Sequence, residues 1–239
     1  MKTVRFLTIT IAIMSISVCA SCQIRKTVSG DGNVVTKERK AQSFDGLAVS
    51  TGIDVYLKQG NNEELTVEAD ENLHEYIVTE VRGSVLHIYS DANIRHAEKK
   101  VVYVTMKNVR SVKTSSAGDV VGETPVKTET LELTASSAGN IKLDVTADEI
   151  EVNISSSGDI TLTGETDILD ADLSSAGDLN AHNLIAREAD ISVSSAGDAG
   201  INVTERLKAR ASSAGDINYA GNPKYVDANS SSAGSIRKR

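Results

Sequence analysis

The sequence predicts an all-β protein, a parallel, right-handed β-helix with coils of about 19 residues, and three observations support this fold class. A corner motif, Ser-Ser-Ala-Gly-Asp with small variations, returns every 18 to 21 residues, with its glycine at Gly118, Gly139, Gly158, Gly177, Gly197, Gly215 and Gly234. Apolar and polar residues alternate on both sides of each glycine. The 239 residues include 2 Phe, 6 Tyr and no Trp, so a core must be a thin layer of aliphatic and small side chains.

The alternation defines strands before and after each corner. Eight, six and four residues before Gly158 stand Ile150, Val152 and Ile154, and the residues between them are polar. A second alternation begins two residues after the glycine. Period two is that of a half-buried strand. One coil has nothing to cover its apolar face, so equivalent strands stack in parallel, and the crossover preference of parallel strands gives the right-handed sense.

The composition of the corner predicts a role for each of its residues. We expect the glycine to have a positive φ, because only a residue without a Cβ adopts it at no steric cost. The serine two positions before the glycine, such as Ser137 before Gly139, continues the inward alternation. We expect these serines to stack about 4.8 Å apart in a buried hydroxyl ladder. The residue between this serine and the glycine is alanine, and we attribute its small size to the crowding of neighbouring corners at that position.

The N-terminal residues 1–21 are predicted to be a signal peptide. Lys2 and Arg5 precede an apolar stretch, and Ala20 and Ser21 stand directly before Cys22, which resembles the lipobox of bacterial lipoproteins. We expect acyl chains on Cys22 to anchor the protein in the membrane. Cys19 departs from that motif, and ordinary signal cleavage after Ala20 is the alternative. The mature chain then has at most one cysteine, which excludes an intrachain disulfide and a cysteine zinc cluster.

The remaining chain is divided by its regularity. Residues 22–43 are predicted to be a lipidated tether with a first edge strand, and residues 44–239 the β-helix domain. Within that domain, coils 44–110 are irregular and coils 111–239 regular. At Gly52 we expect a shortened corner between two alternating runs. Longer strands are predicted near residues 65–68, 77–81, 85–89 and 101–106, with a loop or short helical turn at 70–76.

Charge and motif content exclude several functions. The formal net charge is −8, and it becomes −10 without residues 1–21, so nucleic acid is not expected as a partner. No G-x-S-x-G or HExxH motif occurs, and the histidines at 74, 87, 96 and 182 are dispersed. We therefore expect no catalysis and no cofactor. The alternatives are a polysaccharide-binding or polysaccharide-degrading β-helix, and a scaffold that self-assembles into a homo-oligomer.

One column of acidic residues is a candidate binding site. The residue after the corner glycine is aspartate in five corners, and stacked coils would align Asp119, Asp159, Asp178, Asp198 and Asp216. Carboxylates about 5 Å apart could hold Ca²⁺ or hydrogen-bond the hydroxyls of a glycan. The simpler interpretation is that aspartate follows glycine as an ordinary turn residue. We favour it because the glycine-rich nonapeptide pattern of Ca²⁺-binding β-helices is missing.

Four features of the sequence together carry a family resemblance. The lipobox-like leader, the stretches 44–60 and 65–73, and the repeated SSAGD or SSAGN corners resemble the "putative auto-transporter adhesin, head GIN domain" family of bacterial cell-envelope proteins. The resemblance covers roughly residues 44–221. It implies a β-helical domain, secreted or anchored by lipid in the cell envelope, with an adhesive role. We expect the lipid anchor to lie in the outer membrane and the partner to be a glycan or an extracellular protein. The resemblance carries no catalytic residues.

Overall fold

The computed structural model describes residues 25–239, which form an all-β solenoid of about 7 turns with a spacing of about 19 residues. Its strands stack mostly in parallel, so the predicted fold class is confirmed. The right-handed sense stays a prediction. Over the same residues, the structure contains no helix of the length and apolarity that crossing a membrane requires.

The irregular N-terminal part contains nine strands and one 3-10 turn at Glu71–Leu73. The strands are β1 (Thr27–Ser29), β2 (Val34–Glu38), β3 (Gly46–Val49), β4 (Asp54–Gln59), β5 (Glu64–Asp70), β6 (Ile77–Arg82), β7 (Val85–Ser90), β8 (Asn93–His96) and β9 (Lys100–Met106). The regular part contains β10 (Ser111–Thr114), β11 (Asp119–Gly122), β12 (Val126–Ser136), β13 (Asn140–Ser155), β14 (Asp159–Leu173), β15 (Asp178–Val193), β16 (Asp198–Ala211), β17 (Asp216–Ala220), β18 (Tyr225–Ser230) and β19 (Ser235–Lys238).

Each of the four central coils, β13 to β16, runs as one long bent strand from corner to corner. In β13 the inward residues before the next corner are Ile150, Val152 and Ile154, which are 0%, 1% and 2% exposed. Two consecutive outward residues, Asp148 and Glu149, mark a second bend, after which the alternation resumes. The predicted inward positions eight, six and four before the glycine are therefore confirmed. Stacking of these positions makes one continuous aliphatic core.

The corner turn is built differently from the prediction. Ser156 and Ser157 have φ of 51° and 59°, and the same two positions have positive φ in all seven corners. None of the seven corner glycines has a positive φ. The Gly158 N–H donates to the Ser155 carbonyl at 3.1 Å, closing a turn with two positive-φ central residues, as in type I′. The expected conformation of the glycine is wrong.

The glycine is needed for the close approach of neighbouring coils. A Cβ added to Gly158 would lie 2.6 Å from the carbonyl carbon and oxygen of Ala135 and 2.9 Å from the Ser136 nitrogen. These are backbone atoms of the preceding coil and cannot rotate away. The buried glycine therefore sits where any side chain would push two coils apart.

The prediction of a buried serine ladder is also wrong. Ser137, Ser156 and Ser175 lie exposed at the corner tips, because the positive φ of the turn breaks the inward alternation before it reaches them. The ladder at the corner is made by the backbone. The Ala138 N–H donates to the Ser156 carbonyl at 3.2 Å, and the Ser157 N–H donates to the Ser175 carbonyl at 3.1 Å. Inter-coil hydrogen bonding thus continues through the turn.

Antiparallel strands cap the N-terminal end of the solenoid. β5 pairs antiparallel with both β2 and β9, and β6 pairs antiparallel with β7. β3 and β4 pair in parallel with β10 and β11, so they belong to the regular stack. Their corner is not shortened, since Val49 pairs with Thr114 and Asp54 with Asp119. Gly52, with φ 65°, occupies one of the two positive-φ positions.

A buried carboxylate fastens this cap. Asp70 is 1% exposed and accepts hydrogen bonds from the backbone N–H groups of Gly32, Glu98 and Lys99 at 3.3, 3.2 and 3.1 Å. Burial acts to raise the pKa of Asp70, but the three N–H donors outweigh it and the pKa lies below its ordinary value. The ionised form therefore ties three chain segments together.

Candidate functional site

Two outward surfaces flank the line of corners. We call the residues directly after the corner glycines the aspartate column. We call the depression formed by the residues three and five positions before the glycines the corner groove. Both surfaces repeat from coil to coil because the parallel register is kept residue by residue.

The aspartate column is aligned as the sequence suggested. Successive pairs in the strand register join its members, with Asn140 inside the column and Ser235 at its end: Asp119, Asn140, Asp159, Asp178, Asp198, Asp216 and Ser235. The structure adds Asp54, which pairs with Asp119. The sequence hides this alignment, because Gly52 occupies the second positive-φ position and Ile53 stands where the other corners have their glycine.

Carboxylates in the middle of the column repel one another. Burial raises the pKa of Asp178, the neighbouring Asp159 raises it further, and the Asp198 backbone N–H counteracts both. Burial also raises the pKa of Asp198, with Asp178 and Asp216 adding to it. The column therefore carries unrelieved negative charge in this part of the solenoid.

The N-terminal end of the column is partly relieved. Burial and the charge of Asp119 raise the pKa of Asp54, while Lys100 acts in the opposite direction. The Asn140 amide donates to Asp119 Oδ1 at 2.6 Å, so a neutral donor separates two of the carboxylates. Asn140 therefore interrupts the run of negative charges along the column.

The column supplies one carboxylate per coil in single file. Ca²⁺ takes 6–8 oxygen ligands, and among residues 25–239 no three His, Cys, Asp or Glu side chains are grouped to hold a metal ion. The backbone N–H groups of Asp159 and Asp178 each donate to a glycine carbonyl of the preceding coil at 3.0 Å. These bonds belong to the backbone ladder, so the turn-residue interpretation and the binding of Ca²⁺ or a glycan by the column both stay predictions.

The corner groove and the aspartate column lie on opposite sides of the corner tips. Its larger part has a volume of about 500 Å³ and spans five coils, from Thr134 to Ser212. Its floor is a column of serines, of which four line this part: Ser155, Ser174, Ser194 and Ser212. A second part of about 250 Å³ also contains Thr134 and continues toward β7, so the groove follows the line of corners. Sequence reasoning missed it because it assigned a role only to the serine two positions before the glycine and none to the serine three positions before it.

The groove has polar side chains that are open to a ligand. Within residues 25–239, only Ser194 of the serine column donates a side-chain hydrogen bond, at 3.4 Å to the Leu173 carbonyl. Arg210 contributes a cation, which pairs with Asp190 at 3.1 Å. Beside the groove, the pKa of Asp170 is raised by burial and by nearby carboxylates. The larger part of the groove combines these polar groups with three apolar residues, Ile154, Leu173 and Val193.

The histidines do not form a common site. His87 lies on the outward side of β7 between the buried Leu86 and Ile88, as predicted. His74 Nε2 lies 3.0 Å from the Val35 carbonyl in the cap. The pKa of His182 is lowered by burial and then by Arg239. The predicted signal peptide 1–21 and the predicted lipid-attachment residue Cys22 lie outside the described residues.

Comparison with known structures places this fold among bacterial proteins. A putative adhesin from Bacteroides fragilis is 22% identical, with a TM-score of 0.79 over 89% of this chain and 100% of that one. A putative adhesin and a putative lipid binding protein from Parabacteroides distasonis are 25% and 24% identical, each with a TM-score of 0.72 over 90% of this chain and 100% of theirs. No curated protein matches significantly. The family model described as "Putative auto-transporter adhesin, head GIN domain" matches residues 43–223, and the chain belongs to this family.

Proposed function

We propose that this chain is a non-catalytic, lipid-anchored adhesion module of the cell envelope, whose ligand is a glycan or an extracellular protein. The family suggests an adhesin-like role and a location at the cell surface or in the envelope. The observation that carries the proposal is the outer surface along the corners, where a serine stands three positions before the glycine in every corner and an aspartate directly after the glycine in five of the seven. Such a surface offers many equivalent contacts to an extended partner.

The start of the described chain supports an anchor at Cys22. β1 pairs with β8 at the capped end, and Lys26 Nζ donates to the Tyr76 hydroxyl at 2.5 Å. Only a few residues separate Cys22 from this contact, and an extended chain spans at most about 3.5 Å per residue. An acylated Cys22 would hold the capped end close to the membrane and leave the corner surfaces free along the solenoid.

The anchor is tested by localisation. In the full-length protein, Cys22→Ser should move the protein from the membrane to the soluble fraction, and mass spectrometry should find acyl chains on the wild type. Cys19→Ser is the matched control and should stay membrane-bound. Unmodified wild-type protein beginning at Ser21 would refute the anchor.

Adhesion is tested separately with the soluble Cys22→Ser protein coupled to beads. These beads should bind members of an array of glycans and extracellular matrix proteins, whereas beads with heat-denatured protein should not. Absence of binding together with turnover of a polysaccharide would overturn the non-catalytic role.

A further inference from the structure

We infer that the corner groove binds a neutral, extended polysaccharide that runs along the solenoid axis. This inference rests on the proposed adhesive function and deepens it, because it names the ligand class and the surface. Three properties of the groove indicate this ligand: its shape, its repeat distance and its charge.

Shape and repeat distance both fit a chain of sugars. The groove is long and open, with a volume of about 500 Å³ in its larger part, within the usual range of ligand-binding clefts. Its floor repeats once per coil, at the strand spacing of about 4.8 Å. A sugar residue in an extended β-linked chain has nearly the same length. Successive sugars would therefore meet the same set of side chains in successive coils.

The polar groups match sugar hydroxyls. A sugar hydroxyl both donates and accepts, and so does each serine of the floor. Ser155, Ser174 and Ser212 make no side-chain hydrogen bond within residues 25–239, so their hydroxyls are available to a ligand. Asn153 and Asp172 add amide and carboxylate groups on the same side. The aspartate column, by contrast, offers mainly acceptors.

Charge selects a neutral glycan. The chain has a net charge of −8, and Asp172 lines the groove while Asp170 and Glu151 stand on the neighbouring outward positions. Arg210 is the cation of the larger part of the groove, and it is already paired with Asp190. A polyanionic polymer would be repelled by this surface.

The ligand class is tested with oligosaccharides of defined length. Calorimetric titration of the Cys22→Ser protein would use cello-, xylo- and manno-oligosaccharides of two to six residues, with oligogalacturonate as the charged comparison. In at least one neutral series, affinity should rise with each added sugar and level off near five residues, because the larger part of the groove spans five coils. Oligogalacturonate should bind at least tenfold more weakly.

The location is tested with two pairs of substitutions that differ by one position in sequence. Ser174→Arg with Ser194→Arg fills the groove floor and should lower affinity at least tenfold. Ser175→Arg with Ser195→Arg places the same side chains on the exposed corner tips and should change affinity less than twofold. Thermal melts confirm that both proteins are folded. Should the first pair not fold, Ser174→Gln alone should still lower affinity at least threefold.

The outcomes separate this inference from the proposed function. If no neutral oligosaccharide binds while the beads bind a matrix protein, the groove inference is overturned and the adhesive function stands. Equal loss of affinity in both pairs, or affinity that does not depend on length, would also overturn it. If the beads bind nothing on the array and no oligosaccharide binds, both proposals fail.

Discussion

Adding a single methyl group at a corner glycine should lower stability, whereas replacing the adjacent turn serine with glycine should not. In Gly158→Ala the new Cβ meets the Ala135 carbonyl at 2.6 Å, so the two coils must separate locally. Three backbone hydrogen bonds fix this contact, at 3.0 to 3.1 Å: Gly158 to Ser155, Asp159 to Gly139 and Asp178 to Gly158. Each contributes about 1 kcal/mol net, and overpacking typically costs 1–3 kcal/mol. We expect a loss of about 2–4 kcal/mol.

The neighbouring residue provides a matched control in the same corner. Ser157 has φ 59°, a conformation that costs a residue with a Cβ about 1–2 kcal/mol. Glycine removes this cost but adds freedom to the unfolded chain, worth roughly 0.5–1 kcal/mol. Ser157→Gly should therefore be neutral or stabilising by at most about 1.5 kcal/mol. The hydroxymethyl group removed at position 157 and the methyl group added at position 158 should therefore have opposite effects on stability.

Urea and thermal unfolding, followed by far-ultraviolet circular dichroism, measure both variants. For a chain of this size, 1 kcal/mol shifts the melting temperature by about 2–4 °C. We therefore expect Gly158→Ala to melt roughly 5–15 °C below the wild type. If Gly158→Ala is tolerated and Ser157→Gly is destabilising, the glycine holds the positive φ after all, and the close approach of the coils is not the reason for its presence.

Three further predictions concern the core, the cap and the aspartate column. Ile154→Asp buries an unpaired carboxylate and should lower the free energy of unfolding by several kcal/mol. The outward Asn153→Asp should lower it by less than about 0.5 kcal/mol in the same urea titrations. Equal effects would mean that the strand register is wrong. Asp70→Asn should cost about 2–4 kcal/mol at pH 7, because it weakens three N–H contacts to an ionised acceptor. The pKa of Asp70 is depressed in the folded state. The difference in unfolding free energy between the wild type and Asp70→Asn should therefore be constant above about pH 4 and shrink as the pH falls through the folded pKa. A difference that does not depend on pH would exclude the ionised carboxylate as its source. Millimolar Ca²⁺ or EDTA should leave the melting temperature unchanged, and a rise of many degrees that Asp178→Asn with Asp198→Asn abolishes would establish a metal site.

The strands and their stacking could be predicted because they follow from one-dimensional periodicity. Ile150, Val152 and Ile154 alternate with polar residues, and a period of two assigns each of them to a face. A repeat near 19 residues then leaves parallel stacking as the way to bury that face. The antiparallel cap has no such repeat, and its pairings depend on contacts between segments far apart in the chain, such as Asp70 with Gly32.

The corner could not be predicted from the residue types alone. Glycine is associated both with positive φ and with close backbone approach, and the sequence Ser-Ser-Ala-Gly does not say which applies. The distance between coils decides it, because the Cβ of Gly158 would point into the preceding coil. Once the positive φ belongs to Ser156 and Ser157, the inward alternation ends at the corner, and both the serine ladder and the alignment of Asp54 change.

The serine that precedes the turn is the residue for which the corner itself gives no reason. Serine is common at the first position of a turn because its hydroxyl can hydrogen-bond to the backbone within the turn. Within residues 25–239, none of the seven serines at this position makes such a bond, and only Ser194 donates at all, to the neighbouring coil. Six of the seven instead line one outward groove with the spacing of the coils. If turn chemistry were the reason for these serines, replacing Ser155 and Ser174 with alanine would destabilise the corners; if the groove is the reason, the melting temperature should stay within about 2 °C and oligosaccharide affinity should fall.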